Sequence, residues 1–120
     1  KNDSKARNTA SYGSEINSKN AGSVNVDNFG LMRLNGAKQL AENGFKESAV
    51  AFAMETYRKY PNTRTLKDYR LYFANILYEL KLYRESLTEY NQIKQLDLTD
   101  SEKREVNLKL EAIAKNVSGI

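Results

Sequence analysis

Residues 68–98 read DYRLYFANILYELKLYRESLTEYNQIKQLDL, and this stretch decides the fold. Its first half places Tyr69, Phe73, Ile76, Leu77 and Leu80 on one stripe at helical spacing. Its second half does the same with Leu87, Tyr90, Ile93 and Leu96. A tight turn near Lys81 and Leu82 joins them. Neither amphipathic helix can hide its stripe alone, so the two pack together and still leave apolar surface for a neighbour. That is the signature of a helical-hairpin repeat.

The order of small and large residues in the hairpin resembles a tetratricopeptide repeat. Phe73-Ala74 stands where that repeat has Leu-Gly, and Leu77 takes the next large position. Tyr83 is the aromatic at the turn, Ser86 the small residue, and Tyr90 the large residue one turn later. Small residues matter because helix axes approach to about 8 Å only where side chains are small. The usual turn glycine is Lys81 or Leu82 here, and Leu98 replaces the closing proline.

Composition sets limits. A chain of 120 residues with 40% apolar side chains suits one helical domain with a modest core. There is no run of about 18 apolar residues that could form a membrane-spanning helix. Cysteine and histidine are both absent. Thiol catalysis, disulfides, Cys/His zinc sites and histidine general-base chemistry are therefore excluded. The net charge is +4, with acids and bases interspersed, which argues against nucleic-acid binding. A first residue of Lys1 rather than methionine leads us to expect a processed or trimmed product, any targeting segment removed.

Two regions follow. Residues 1–28 are polar, rich in Ser, Asn, Lys and Gly, with Tyr12, Ile16, Val24 and Val26 as the large apolar residues. Such a segment cannot bury enough surface to offset its ordering entropy, so a flexible tether is expected. Residues 29–120 form the expected all-α domain: two hairpins and a carboxy-terminal capping helix.

The first hairpin is read as a helix over 31–43, capped by Asp27 or Asn28 and stopped at Gly44, then a helix over 46–60 stopped by Pro61. Gly36 inside the first helix suggests close backbone packing. Phe45-Lys46-Glu47-Ser48 echoes Tyr83-Arg84-Glu85-Ser86, and Phe52 echoes Tyr90, an offset of 38 residues. Thr65 and Asp68 resemble a capping box before the third helix, and Thr99 and Glu102 one before the fifth. On that last helix Val106, Leu110, Ile113 and Val117 form the stripe. Lys103, Arg104, Glu105, Lys109, Glu111 and Lys115 mostly face water.

Nothing in the sequence reads as an active site. Asp97 with Asp100, and Glu85 with Glu89, read as caps and solvated faces. Gly30 with Gly36 lacks the spacing of a phosphate loop. The eight tyrosines are the sharper feature. Tyr57, Tyr69, Tyr83 and Tyr90 read as core, whereas Tyr72 and Tyr78 suit an interface, where an apolar ring with a polar tip is favoured. In the repeat register Asp68, Leu71, Asn75, Tyr78 and Glu79 share a concave side, and Tyr72 is a further candidate partner-binding residue. The 38-residue offset sets Arg33, Ala37 and Leu40 beside them. Such a surface suits an extended peptide or a partner helix. The alternative reading is that two hairpins curve too little and these residues are plain surface.

Phe45-Lys46-Glu47-Ser48, then Tyr57-Arg58-Lys59-Tyr60-Pro61-Asn62, then Tyr72-Phe73-Ala74 on a long helix, resemble one branch of these repeats. The outer-membrane assembly lipoprotein family (BamD) and the related Tol-Pal coordinator carry this pattern. The resemblance covers about Leu31 to Ile113. It implies a non-catalytic adaptor without cofactor or metal, at the periplasmic face of a bacterial outer membrane. The implied partner is the barrel-assembly protein or another envelope protein, the Tol-Pal coordinator or a flagellar-motor scaffold being the alternative setting. Membrane contact is implied only through a lipid on a cysteine preceding Lys1. Members of the family typically carry about five hairpins, so two make a short form. Exposed apolar edges also leave self-association open.

Overall fold

The computed structural model describes residues 21–118, with side chains described for 28–117. Five α-helices follow in order: α1 Ala21–Glu42, α2 Lys46–Lys59, α3 Lys67–Glu79, α4 Tyr83–Ile93 and α5 Asp100–Ser118. A 3-10 turn, Pro61–Thr65, sits between α2 and α3. No strand occurs among the described residues, and the protein is all-α.

Helix α1 begins ten residues before the expected Leu31, so Asp27 and Asn28 lie inside it rather than capping it. No proline or positive-φ residue interrupts that span. Residues 1–20 of the expected tether lie outside the described residues. Helix α2 stops at Lys59, with Tyr60 at φ −129° and ψ 75°, outside the α region that a following proline disfavours. The chain then coils on instead of extending. The Thr63 amide and hydroxyl both donate to the Tyr60 carbonyl, at 2.9 and 2.6 Å.

That turn also removes one expected cap. Thr65 closes the 3-10 turn, its hydroxyl donating to the Asn62 carbonyl at 2.9 Å. Leu66 then takes the cap position of α3 without a side-chain bond, and no Thr65–Asp68 box forms. The box before α5 does form. The Thr99 amide donates to Glu102 Oε1 at 2.8 Å, and the Glu102 amide donates to Thr99 Oγ1 at 3.1 Å.

The two hairpins share one turn. In the first, Gly44 has φ 95°, the Phe45 amide donates to the Leu40 carbonyl at 2.9 Å, and the Gly44 amide donates to Ala41 at 3.0 Å. In the second, Lys81 has φ 64°, the Leu82 amide donates to Leu77 at 2.9 Å, and the Lys81 amide donates to Tyr78 at 3.0 Å. Both are helix stops in which a left-handed residue turns the backbone so that the last carbonyls keep donors.

The interval between the two turns is therefore 37 residues, not the expected 38. Ala49, not Ser48, matches buried Ser86, and Ala53, not Phe52, matches Tyr90; Ser48 is exposed and Phe52 half-buried. The same interval carries Tyr69, Phe73, Ile76 and Leu80 of α3 onto Val106, Leu110, Ile113 and Val117 of α5. Both sets pack toward the preceding hairpin.

Helix α3 is the centre of the molecule. On one side Phe73, Ile76 and Leu77 pack with Leu34, Ala37, Ala49 and Ala53 of the first hairpin. On the other, Leu71 and Ala74 pack with Tyr90 and Ile93 of α4 and Val106 and Ile113 of α5. Ala37, Ala49, Ala53, Ala74 and Ser86 are fully buried, and their small side chains let the helices approach. Gly36 is not one of these close approaches, since a Cβ there would meet Phe52 at an ordinary 3.7 Å. Gly30 is one. A Cβ on Gly30 would lie 2.4 Å from Thr63 Cγ2, so its lack of a side chain seats the 3-10 turn on α1.

An ion pair lies inside the second hairpin. The Arg70 Nε donates to Glu89 Oε1 at 2.9 Å, and the remaining donors reach Gln92 Oε1 at 2.8 Å and the Arg64 carbonyl at 3.0 Å. Both side chains are buried. Glu89 is thus not the solvated carboxylate that its helical position suggested, whereas Glu85 is exposed.

Candidate protein interface

Helices α1, α3 and α5 are linked across one face by polar and aromatic contacts. The Tyr69 hydroxyl donates to Asn35 Oδ1 of α1. The Lys38 ammonium of α1 lies 5.3 Å from the centre of the Tyr72 ring. On the other flank of α3, Asn75 Nδ2 donates to Glu105 Oε2 at 3.0 Å. The Lys109 ammonium sits 5.2 Å over the Tyr78 ring and 3.4 Å from Asn75 Oδ1. Near the start of α3, Lys67 Nζ donates to Glu102 Oε1 at 2.9 Å and to the Asp97 carbonyl at 2.9 Å.

These contacts sort the residues expected at a binding face. Asp68 and Glu79 are exposed, Tyr72, Asn75 and Tyr78 half-buried, all along α3. Glu79 pairs with Lys46 at 2.9 Å. Ala37 and Leu71 sit in the core, where no partner reaches them, because they are the close-contact residues of their hairpins. Leu40 is half-buried against the first cluster. Arg33 is turned the other way. Its Nε donates to Thr56 Oγ1 at 3.1 Å, and its guanidinium lies 4.4 Å from the Phe52 ring centre. The one-residue error in the offset misplaced the three α1 positions.

Asn35, Lys38, Glu105 and Lys109 belong to the face but were not expected on it. Glu105 and Lys109 read as solvent-facing, yet both are half-buried on α3. The signal that could have found them is the 37-residue match of the α5 stripe to that of α3, which lays α5 alongside α3.

Burial raises the Tyr69 and Tyr72 hydroxyls above their ordinary pKa, with Glu42 adding to the effect at Tyr72. Burial also pushes the Tyr90 hydroxyl well up, and it donates to Asn75 Oδ1. All three are neutral near pH 7; Tyr69 and Tyr72 offer rings and hydroxyls rather than charge, while Tyr90 is fully buried. The face is mixed in sign, with Lys38, Lys46 and Lys109 interleaved with Glu42, Glu79 and Glu105.

Among the described residues no group of three or more acidic side chains is placed to hold a metal. None of the described helices is long and apolar enough to cross a membrane. Shallow depressions occur among the described residues. One of about 210 Å³ is lined by Asn28, Leu31, Asn62, Thr63, Thr65 and Leu66. One of about 160 Å³ is lined by Lys94, Leu98, Lys103, Val106 and Asn107. No family model, no curated protein and no solved structure matches the chain.

Proposed function

We propose that the protein is a non-catalytic, protein-binding adaptor built from tandem helical hairpins of the tetratricopeptide type. The observation that carries this reading is the recurrence, after 37 residues, of one turn geometry and one set of buried positions. Such a recurrence supports a short solenoid in which like helices lie side by side and present a continuous face. Along that face Asp68, Tyr72, Tyr78 and Glu79 combine aromatic area with charge at the rim, the composition of a recognition surface.

The proposed setting is the periplasmic side of a bacterial outer membrane, with the barrel-assembly protein as partner. It rests on the Phe45–Ser48 and Tyr57–Asn62 patterns and their resemblance to assembly lipoproteins. The second of these patterns also has a structural role. Tyr60 and Thr63 pack against α1 at Gly30, while Pro61 and Asn62 are exposed, so the Tyr60-Pro61-Asn62 element opens a 3-10 turn that belongs to the scaffold.

Co-purification of the tagged chain with the barrel-assembly protein from detergent extracts tests the proposal. A stoichiometric complex, weakened by the exposed-face variant Asp68→Lys/Tyr72→Ala, is the expected result. Recovery of the chain without that protein sinks the proposed partner. A complex that the variant leaves intact moves the interface elsewhere.

A further inference from the structure

One face of α5 is open where the matching faces of α1 and α3 are covered. On α1 the positions are Gly30, Leu34, Ala37 and Ala41, all buried. The 37-residue interval carries them onto Lys67, Leu71, Ala74 and Tyr78 of α3. Leu71 and Ala74 are buried in the cluster shared with α4 and α5, and Tyr78 packs against it. Lys67 donates to Glu102 of α5. One repeat later the positions are Arg104, Leu108, Glu111 and Lys115, and all four are exposed, Leu108 by 66%. Val106 and Ile113, on the opposite side of α5, hold the helix to the core.

The residues on this face say what it can accept. At the place of Ala37 and Ala74, whose small side chains permit close packing, α5 carries Glu111. A helix seated there as closely as α2 and α4 sit on α1 and α3 would bury that carboxylate. An occupant must therefore stand further off and bring a cation to Glu111.

The face itself supplies the cation. Asp100 is exposed one turn before Arg104, so the stripe at helical spacing is Asp100, Arg104, Leu108, Glu111 and Lys115: acid, base, leucine, acid, base. Among the described residues no ion pair involves any of these four charges. Read backwards, the series is its own complement. Two copies of α5 laid antiparallel, with a two-fold axis passing between Asn107 and Leu108, bring Arg104 opposite Glu111 and Asp100 opposite Lys115. The two Leu108 side chains then meet beside the axis. A parallel pairing sets like charges against each other and is disfavoured.

We infer that the outer face of α5 is a self-association surface, on which a second copy of the chain docks antiparallel through Leu108 and the four charges beside it. The contact is one helix wide and mostly charged, so the dimer is weak and sensitive to salt. It leaves the α1–α3–α5 face of each copy open, because Glu105 and Lys109 lie on another side of α5. The inference therefore stands whichever partner that face binds.

Sedimentation velocity of the full chain, from about 10 μM to about 1 mM, tests it. The parent is expected to move from monomer toward dimer as concentration rises, and back toward monomer in about 1 M salt. Arg104→Glu alone and Glu111→Arg alone each set like charges across the axis. Each is expected to weaken association about tenfold or more, with helicity unchanged by circular dichroism, since both sites are exposed. Mixed in equal amounts, the two variants restore every contact between opposite charges, and the mixture is expected to recover the parent's dimer. That recovery cannot come from variants that fail to fold. A parent that stays monomeric over the whole range, single variants that associate as the parent does, or a mixture no more associated than its components overturns the inference.

Discussion

Gly44 and Lys81 hold the same left-handed position in two successive helix stops, at φ 95° and 64°. Only glycine adopts that backbone without a Cβ penalty. Lys81 is held there by the two turn hydrogen bonds that Gly44 also supports. Replacing Lys81→Gly is therefore expected to stabilise the protein by about 1 kcal/mol, and Gly44→Ala to destabilise it by about the same. Urea unfolding of the two variants reads both signs. A neutral or destabilising Lys81→Gly would show that the lysine side chain contributes something the turn geometry does not explain.

The two glycines of α1 that carry described environments predict opposite outcomes. A methyl group at Gly30 would collide with Thr63 and crowd Tyr60 Cβ at 3.1 Å. Gly30→Ala must push the 3-10 turn off α1, at an expected cost of about 1–3 kcal/mol. At Gly36 the same methyl meets only Phe52, at van der Waals distance. Gly36→Ala is expected to gain up to about 1 kcal/mol from lower backbone entropy in the unfolded chain. Thermal melts of the pair check this, and a stabilising Gly30→Ala contradicts the packing described.

Much of the helix order was legible because stripes at helical spacing and the Thr99–Glu102 cap are local signals. Three features set by tertiary contacts were not. The repeat register was matched on the echo of Phe45–Ser48 in Tyr83–Ser86. The backbone instead aligns the turns on Gly44 and Lys81, and a lysine does not look like a turn residue. Glu89 read as a surface charge, since only its pairing with Arg70 across two helices makes burial tolerable. Glu105 and Lys109 read as solvated because nothing local to α5 reports that α3 lies beside it. Each miss needed a tertiary contact that the sequence does not spell out.

The acid limb of stability has an identifiable contributor at the start of α5. Hydrogen bonds from the Thr99 amide and from Lys67 hold the Glu102 carboxyl below its ordinary pKa. A depressed folded pKa means that the carboxylate stabilises the fold above its unfolded value, near 4.5. That contribution fades as pH falls through the folded value. Glu102→Gln keeps a side chain that can accept from the Thr99 amide but cannot titrate. Its stability is expected to fall less than that of the parent between neutral pH and pH values below about 4, relative to each protein at neutral pH. Parallel loss in both proteins, followed by circular dichroism over an acid titration, would remove Glu102 as the cause.

The junction of the two hairpins allows the sharpest test, because it combines a buried charge pair with an orphan hydroxyl. The Tyr57 ring lies against the Arg70 guanidinium, yet its hydroxyl is the one buried side-chain polar atom among the described residues with no hydrogen-bond partner. Burial pushes that hydroxyl far above the ordinary tyrosine pKa, so it is neutral at any working pH. Tyr57→Phe keeps the ring over the guanidinium and removes the unsatisfied group, and is expected to stabilise by about 1 kcal/mol. Arg70→Met leaves the Glu89 carboxylate buried and alone, at an expected cost of about 3–5 kcal/mol. Adding Glu89→Leu should recover most of that loss, since the desolvated charge is then gone. The parent, Arg70→Met, Glu89→Leu and their double form a cycle measurable by urea unfolding, and Tyr57→Phe is read by the same measurement. An Arg70→Met cost below about 1 kcal/mol would mean that water reaches Glu89, and that the two hairpins are not closed over the pair.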